Sequence, residues 1–90
     1  MEYRIGSERI WLEDGEGREL AFVSFPRRDG HTVEIVSTVV SDSLRGQGVA
    51  GALLETLAGE LRRRGQRAVP TCSYAVQWFS RHPEAGDLLA

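Results

Sequence analysis

Lysine is missing from this 90-residue chain: all eleven basic residues are arginines, and asparagine is missing as well. Without lysine there is no Schiff-base amine, no phosphate-loop lysine and no lysine side chain to modify. A single cysteine, Cys72, excludes an internal disulfide framework and a multi-cysteine zinc site. The two histidines, His31 and His82, stand alone without paired ligands, so no metal site is expected. A basic excess is missing too. The net charge of -2 and pI near 5.6 argue against nucleic-acid binding, which needs a basic face. No run approaches transmembrane length, and Met1-Glu2-Tyr3-Arg4 has no apolar signal core. A cytoplasmic protein without a membrane partner is expected.

What is present is ordinary for a soluble globular protein: 41% hydrophobic and 27% charged residues. Ninety residues make one domain, 1–90, with no room for a second core. Such a domain buries only about 60–65% of its unfolded surface, so its stability should respond to ligands.

Ile10-Trp11-Leu12, within Ser7 to Glu13, reads as a strand that ends at the turn Asp14-Gly15-Glu16-Gly17. Arg18 to Phe25 alternates, Leu20 and Phe22 against Ala21, Val23 and Phe25, and completes a hairpin. After Pro26-Arg27-Arg28-Asp29-Gly30, the β-branched run from Thr32 to Val40 reads as one central strand. From Val49 the period changes: Leu53, Leu54, Leu57, Ala58 and Leu61 form a helical stripe, with Glu55 and Glu60 away from it. Arg62-Arg63-Arg64 suits the negative end of that helix as a solvated terminus, and Gly65 is the expected stop. Gln66 to Thr71 reads as a short strand. Ser73 to Arg81 reads as a second helix, with Ser73 as a cap and Val76, Trp78 and Phe79 as its apolar content. The order β-β-β-α-β-α predicts an α+β fold: a mixed, mainly antiparallel sheet with a central helix, its crossover joining parallel neighbours.

Gly46-Gln47-Gly48-Val49-Ala50-Gly51 matches G-x-G-x-x-G, the dinucleotide fingerprint. That reading fails. Ser41 to Arg45 separate the first glycine from the strand, and the strand after the helix carries no carboxylate for a ribose. Two mononucleotide halves also do not fit in this length. The same residues read as R-x-x-G-x-A: Arg45, Gly48 and Ala50 opening an amphipathic helix. A helix start leaves about four amide N–H groups unpaired and carries about half a positive charge. Glycine and alanine let phosphate oxygens reach that backbone. Spacing alone leaves two options, an anion site or a plain turn.

Leu44-Arg45-Gly46-Gln47-Gly48-Val49-Ala50, followed by Leu53-Leu54, resembles the acyl-CoA motif of the GNAT acetyltransferases. Val69-Pro70-Thr71-Cys72-Ser73-Tyr74 and Arg81-His82-Pro83-Glu84 resemble the minimal GNAT-like subfamily of about ninety residues. The resemblance implies a truncated GNAT fold in which Arg45, Gly46, Gln47, Gly48, Val49, Ala50 and Gly51 hold the pyrophosphate of acetyl-CoA. It also implies that the strand near Val39 and Val40 splays from its neighbour and bonds the pantetheine arm. The implied activity is acetyl transfer to an unidentified amine; the alternative is a non-enzymatic acyl-CoA sensor. In place of the subfamily's His-Thr-Glu-Val, this chain has Ser37-Thr38-Val39-Val40, and Ala85 stands where a tyrosine is expected. Larger relatives build the acceptor pocket with N-terminal helices that this chain has no length for. A surface-docked macromolecule or a partner-completed pocket is the corresponding acceptor arrangement.

Three side chains are candidates for chemistry. Cys72, by the resemblance, sits near the thioester as an acetyl acceptor or a weak donor. Glu34 is a candidate base and Tyr74 a candidate acid or cover for the pantetheine. His82, ahead of Pro83, reads as structural. Trp11, Trp78 and Phe79 read as core or dimer contacts, and a monomer or weak homodimer is expected.

Overall fold

The computed structural model describes residues 2–90. Strands β1 (Glu2–Ile5), β2 (Arg9–Glu13), β3 (Glu19–Ser24), β4 (Thr32–Ile35) and β5 (Ser37–Val40) precede helix α1 (Val49–Arg64). Strand β6 (Arg67–Pro70), helix α2 (Ser73–Arg81) and a 3-10 turn over Pro83–Leu88 complete the chain. β1 lies ahead of the first expected strand and pairs antiparallel with β2. The β2–β3 hairpin turns as the sequence requires. The Asp14 carboxylate accepts the Glu16 and Arg18 backbone N–H groups, and Gly17 takes a φ of 80° that a side chain would disfavour.

The expected central strand is divided. Val36 donates its N–H to the Ser24 carbonyl, while Ser37 is the register partner of the same Ser24. Two residues thus oppose one, and the strand bends there as at a β-bulge. Beyond the bend β5 pairs antiparallel with β3, in a sheet ordered β1-β2-β3-β5. Before it, β4 pairs parallel with β6. This is the crossover pairing that the strand–helix–strand order implies. The β-structure is therefore mixed and mainly antiparallel, four antiparallel strands followed through the bend by a parallel pair, and among the described residues β5 has no partner strand on the side away from β3.

One face of this sheet carries Ile10, Leu12, Ala21, Val23, Phe25, Val33 and Ile35, all buried. The stripe Leu53, Leu54, Leu57, Ala58 and Leu61 of α1 is buried against them in the same core. Gly65 ends α1 with a φ of 68°, and Gln66 N–H reaches back to the Leu61 carbonyl at 2.9 Å. Such a closure satisfies carbonyls that the helix end leaves free.

Three local expectations need correction. Glu60, expected on the wet side of α1, is 8% exposed. Arg63 and Arg64 both bond its carboxylate, and these two guanidiniums hold its pKa down to about 2. Arg64 is accordingly no solvated terminus: it also donates to the carbonyls of Ser7 at 2.8 Å and Gly6 at 2.7 Å, pinning the helix end to the β1–β2 turn. On α2, the cap position is Cys72, without a side-chain cap bond, and Ser73 is the first helical residue. Val76 faces outward, whereas Ala75, Trp78 and Phe79 are buried. His82 stacks on Trp78 at 4.2 Å between ring centroids and bonds Glu84 at 2.7 Å, a structural arrangement.

Candidate functional site

The glycine loop follows a 3-10 turn over Asp42–Leu44. Gly46 and Gly48 hold φ values of 79° and 73°, a left-handed geometry that costs any other residue about 1 kcal/mol. A Cβ added at either would meet nothing within 4 Å, so their backbone faces open space. Gly48 caps α1 with no side-chain bond. The first bond of the helix runs from Ala52 N–H to the Gly48 carbonyl at 3.0 Å. The N–H groups of Val49, Ala50 and Gly51 therefore have no backbone acceptor. Together with the dipole of a 16-residue helix, they form a positive end aimed at that space.

That space is a cleft of about 210 Å³. Of the residues singled out in the sequence, it gathers Val40, Arg45, Gly46, Gly48, Val49, Ala50, Gly51 and Tyr74, and it adds Leu44. Gln47 and Val39 are not in its wall. The Gln47 amide donates to the Ser43 carbonyl. Val39 pairs with Phe22 across the sheet and is 49% exposed. Arg45 is exposed and bonds Asp42 at 3.0 Å. An exposed pair of this kind is worth about 0–1 kcal/mol, so the guanidinium is free to exchange Asp42 for another anion.

The second wall comes from the divided strand. Ser41 donates its N–H to Leu20, and the alternation of an antiparallel ladder then turns the backbone polar groups of Val40 and Thr38 away from β3. They line a splay, because the chain facing β5 leaves the sheet. Thr71 and Cys72 both donate to the Ile35 carbonyl, at 3.0 and 3.1 Å, and beyond that point the chain turns into α2. Across the splay, Thr38 Oγ1 lies 3.6 Å from Cys72 Sγ.

Thr38 was not singled out in the sequence. Its signal was its two-residue spacing from Val40, which puts both on one face of the strand. Tyr74 enters the cleft from the first turn of α2, its hydroxyl 3.6 Å from where a Cβ at Gly51 would sit. The phenol thus stands at the start of α1. Glu34 lies outside the cleft wall. Its carboxylate accepts the Thr71 hydroxyl at 2.9 Å and lies 3.9 Å from Arg28. Cys72 is likewise outside the wall, but it is half-buried at the narrow end of the splay. The Arg62-Arg63-Arg64 run is a helix length away, roughly 20 Å at 1.5 Å per residue.

Among the described residues, no helix is long and apolar enough to cross a membrane. No curated protein sequence matches the chain. In solved structures, a GCN5-like protein from Staphylococcus aureus superposes with a TM-score of 0.80 at 27% identity, covering 99% of this chain and 87% of that one. The GNAT family N-acetyltransferase YhbS from Escherichia coli, solved in complex with CoA, gives 0.67 at 25% identity, covering 81% of this chain. N-acetylglutamate synthase from Neisseria gonorrhoeae, complexed with coenzyme A and N-acetyl-glutamate, gives 0.66 at 20% identity over 84% of this chain, a likeness of fold alone. The chain spans 43% of YhbS and 18% of the synthase. The family model described as GCN5-related N-acetyl-transferase matches residues 9–88, and the chain belongs to that family.

Proposed function

We propose that this chain binds acetyl-CoA in the cleft at the start of α1 and transfers the acetyl group to an amine, as one domain spanning residues 1–90. One observation carries the reading: the unpaired N–H groups of Val49, Ala50 and Gly51, the open backbone of Gly46 and Gly48, and the free polar edge of β5 border one continuous groove. A phosphate suits the first end of it, since the amides supply donors and no Cβ blocks the approach. A chain of amides suits the second end, as a peptide-like strand would. The E. coli neighbour, solved in complex with CoA, supports the same ligand.

In this reading Gly46 to Gly51 cradle the pyrophosphate, with Gln47 contributing its backbone rather than its side chain. Arg45 leaves Asp42 to add charge. Val40, with Thr38 two residues back, presents its backbone polar groups to the pantetheine, while the backbone of the neighbouring Val39 faces Phe22 of β3. Acetyl-CoA supplies an activated carbonyl. The chain's own residues then fix its position and handle the protons. Cys72 stands at the narrow end, where its thiol contacts the acyl group. Glu34, adjacent to Cys72 through its bond to Thr71, takes the proton of the acceptor amine through water. As the N–C bond forms the C–S bond breaks, and the departing CoA thiolate takes up a proton to leave as the free thiol. Tyr74 covers the groove and donates its hydroxyl to the ligand near α1. The acceptor is an amine without a built pocket in this chain, which suits a macromolecule docking on the surface.

A second reading, an acyl-CoA sensor without turnover, draws support from Glu34, which is held by Arg28 and Thr71 outside the cleft. Thermal unfolding with acetyl-CoA, CoA and NAD, followed by thiol release with a panel of amines, separates the readings. At a hundred times Kd, acetyl-CoA should add about 2.7 kcal/mol, a Tm rise of roughly 10–20 °C for a domain of this size. A shift with NAD and none with CoA would overturn the cofactor. A CoA shift without thiol release from any amine would replace the transferase with the sensor.

A further inference from the structure

Beyond the groove lies a contact between two small polar side chains. The groove's wall ends at Val40 on β5 and Tyr74 on α2. Two residues further in on each element stand Thr38 and Cys72, whose side chains meet at 3.6 Å. Nothing larger than a hydrogen fits between atoms at that separation. The backbone beneath both side chains is anchored. Thr38 is fixed by its pairing with Val23 of β3. Cys72 is held by its N–H bond to Ile35, while its carbonyl receives the Val76 N–H at 3.1 Å.

We infer that the Thr38–Cys72 contact sets the length of the acyl group, admitting acetyl and excluding longer chains. This inference rests on the acyl-CoA reading of the cleft and adds a specificity role for Thr38. The interval from Val40 to Thr38 is two strand residues, roughly 7 Å. That length accommodates the thioester and a methyl group. Each added methylene advances a chain by about 1.3 Å, so hexanoyl would need about 5 Å more and would have to part the hydroxyl from the thiol. Thr38 blocks by volume. Valine at that position keeps the volume, and alanine removes it.

The test is the binding of free CoA, acetyl-CoA, butyryl-CoA and hexanoyl-CoA, measured by calorimetry on the wild type, Thr38→Val and Thr38→Ala. Free CoA binding shows that each variant is folded and that its phosphate end works. The expected result is that hexanoyl-CoA binds at least tenfold more weakly than acetyl-CoA to the wild type and to Thr38→Val, since a single misfit methylene is already worth about 10-fold or more. In Thr38→Ala that discrimination should shrink several-fold. Equal affinity for acetyl- and hexanoyl-CoA in the wild type overturns the inference, as does unchanged discrimination in Thr38→Ala. Both results leave CoA binding itself standing. A wild type that binds none of the four overturns the cofactor reading and this inference with it.

Discussion

Gly51 and Gly59 lie on the same helix, eight residues apart, and alanine at each should have different consequences. Both lie in α1 with ordinary negative φ, so alanine replaces the least favourable helix residue short of proline with the most favourable one. In an interior position such as Gly59 that gains about 0.5–1 kcal/mol, or a Tm rise of roughly 2–8 °C for a domain of this size; Gly51, in the first turn, should gain less. At Gly59 the new methyl meets nothing within 4 Å, so stability should rise and nothing else should change. At Gly51 the methyl would sit 3.6 Å from the Tyr74 hydroxyl, an ordinary contact in the free protein. It would also project into the cleft that Gly51 lines, where the proposed ligand's phosphate would approach. Intruding on a fitted site costs about 1–3 kcal/mol, which lowers acetyl-CoA affinity roughly 5- to 150-fold. The assay is differential scanning fluorimetry of both variants without ligand, paired with calorimetric titration of acetyl-CoA. Gly51→Ala should be more stable and bind more weakly; Gly59→Ala should be more stable and bind as the wild type does. Undiminished affinity in Gly51→Ala would remove the start of α1 from the ligand site. A lower unliganded Tm would refute the account of its packing.

Cys72→Ala should keep acetyl-CoA binding and lose transfer to amines; full turnover in this variant would remove the thiol from the chemistry. Intact mass after incubation with acetyl-CoA provides a second readout. With no lysine in the chain, an acetyl adduct that disappears in Cys72→Ala reports that thiol. Glu60 should govern part of the acid limb of stability. Its pKa, held to about 2 by Arg63 and Arg64, lies below its ordinary value, so the ion pairs stabilise fully above about pH 4.5 and the contribution is lost as pH falls toward 2. Glu60→Gln should lower stability at pH 7 by about 1–2 kcal/mol, solvent screening included, and flatten the loss between pH 4.5 and 2. An unchanged acid limb in urea titrations would show that the pairs contribute nothing.

The position of the glycine loop, the stripe of α1 and the stop at Gly65 were legible because each depends on neighbours within a few residues. Helix periodicity, the left-handed φ of glycine and the unpaired amides of a helix start are local physics. Gly46, Gly48, Val49, Ala50 and Gly51 consequently lie together where spacing predicted. The same holds for the β2–β3 hairpin, whose Asp14 and Gly17 set the turn themselves.

What depends on a distant partner was not legible. The β-branched run from Thr32 to Val40 announces a strand, but its composition does not say that Ser24 is opposed twice or that β6 accompanies only its first half. That division creates the splay, and with it the Thr38–Cys72 contact between residues 34 positions apart. Helical period alone places Glu60 on the wet face and carries no information about its partners. Two arginines make its burial affordable, and one of them reaches the β1–β2 turn nearly sixty residues earlier. Glu34, a plausible base by its place in the strand, faces away from the core because Val33 and Ile35 take the inner face. The sequence by itself determined a glycine-opened helix start and the motifs that carry the family resemblance; the tertiary structure alone decided which strand and which helix border the groove that leads from it. The reason is that amide geometry at a helix end is local, whereas a groove is the gap between two segments that only the completed ladder brings near each other.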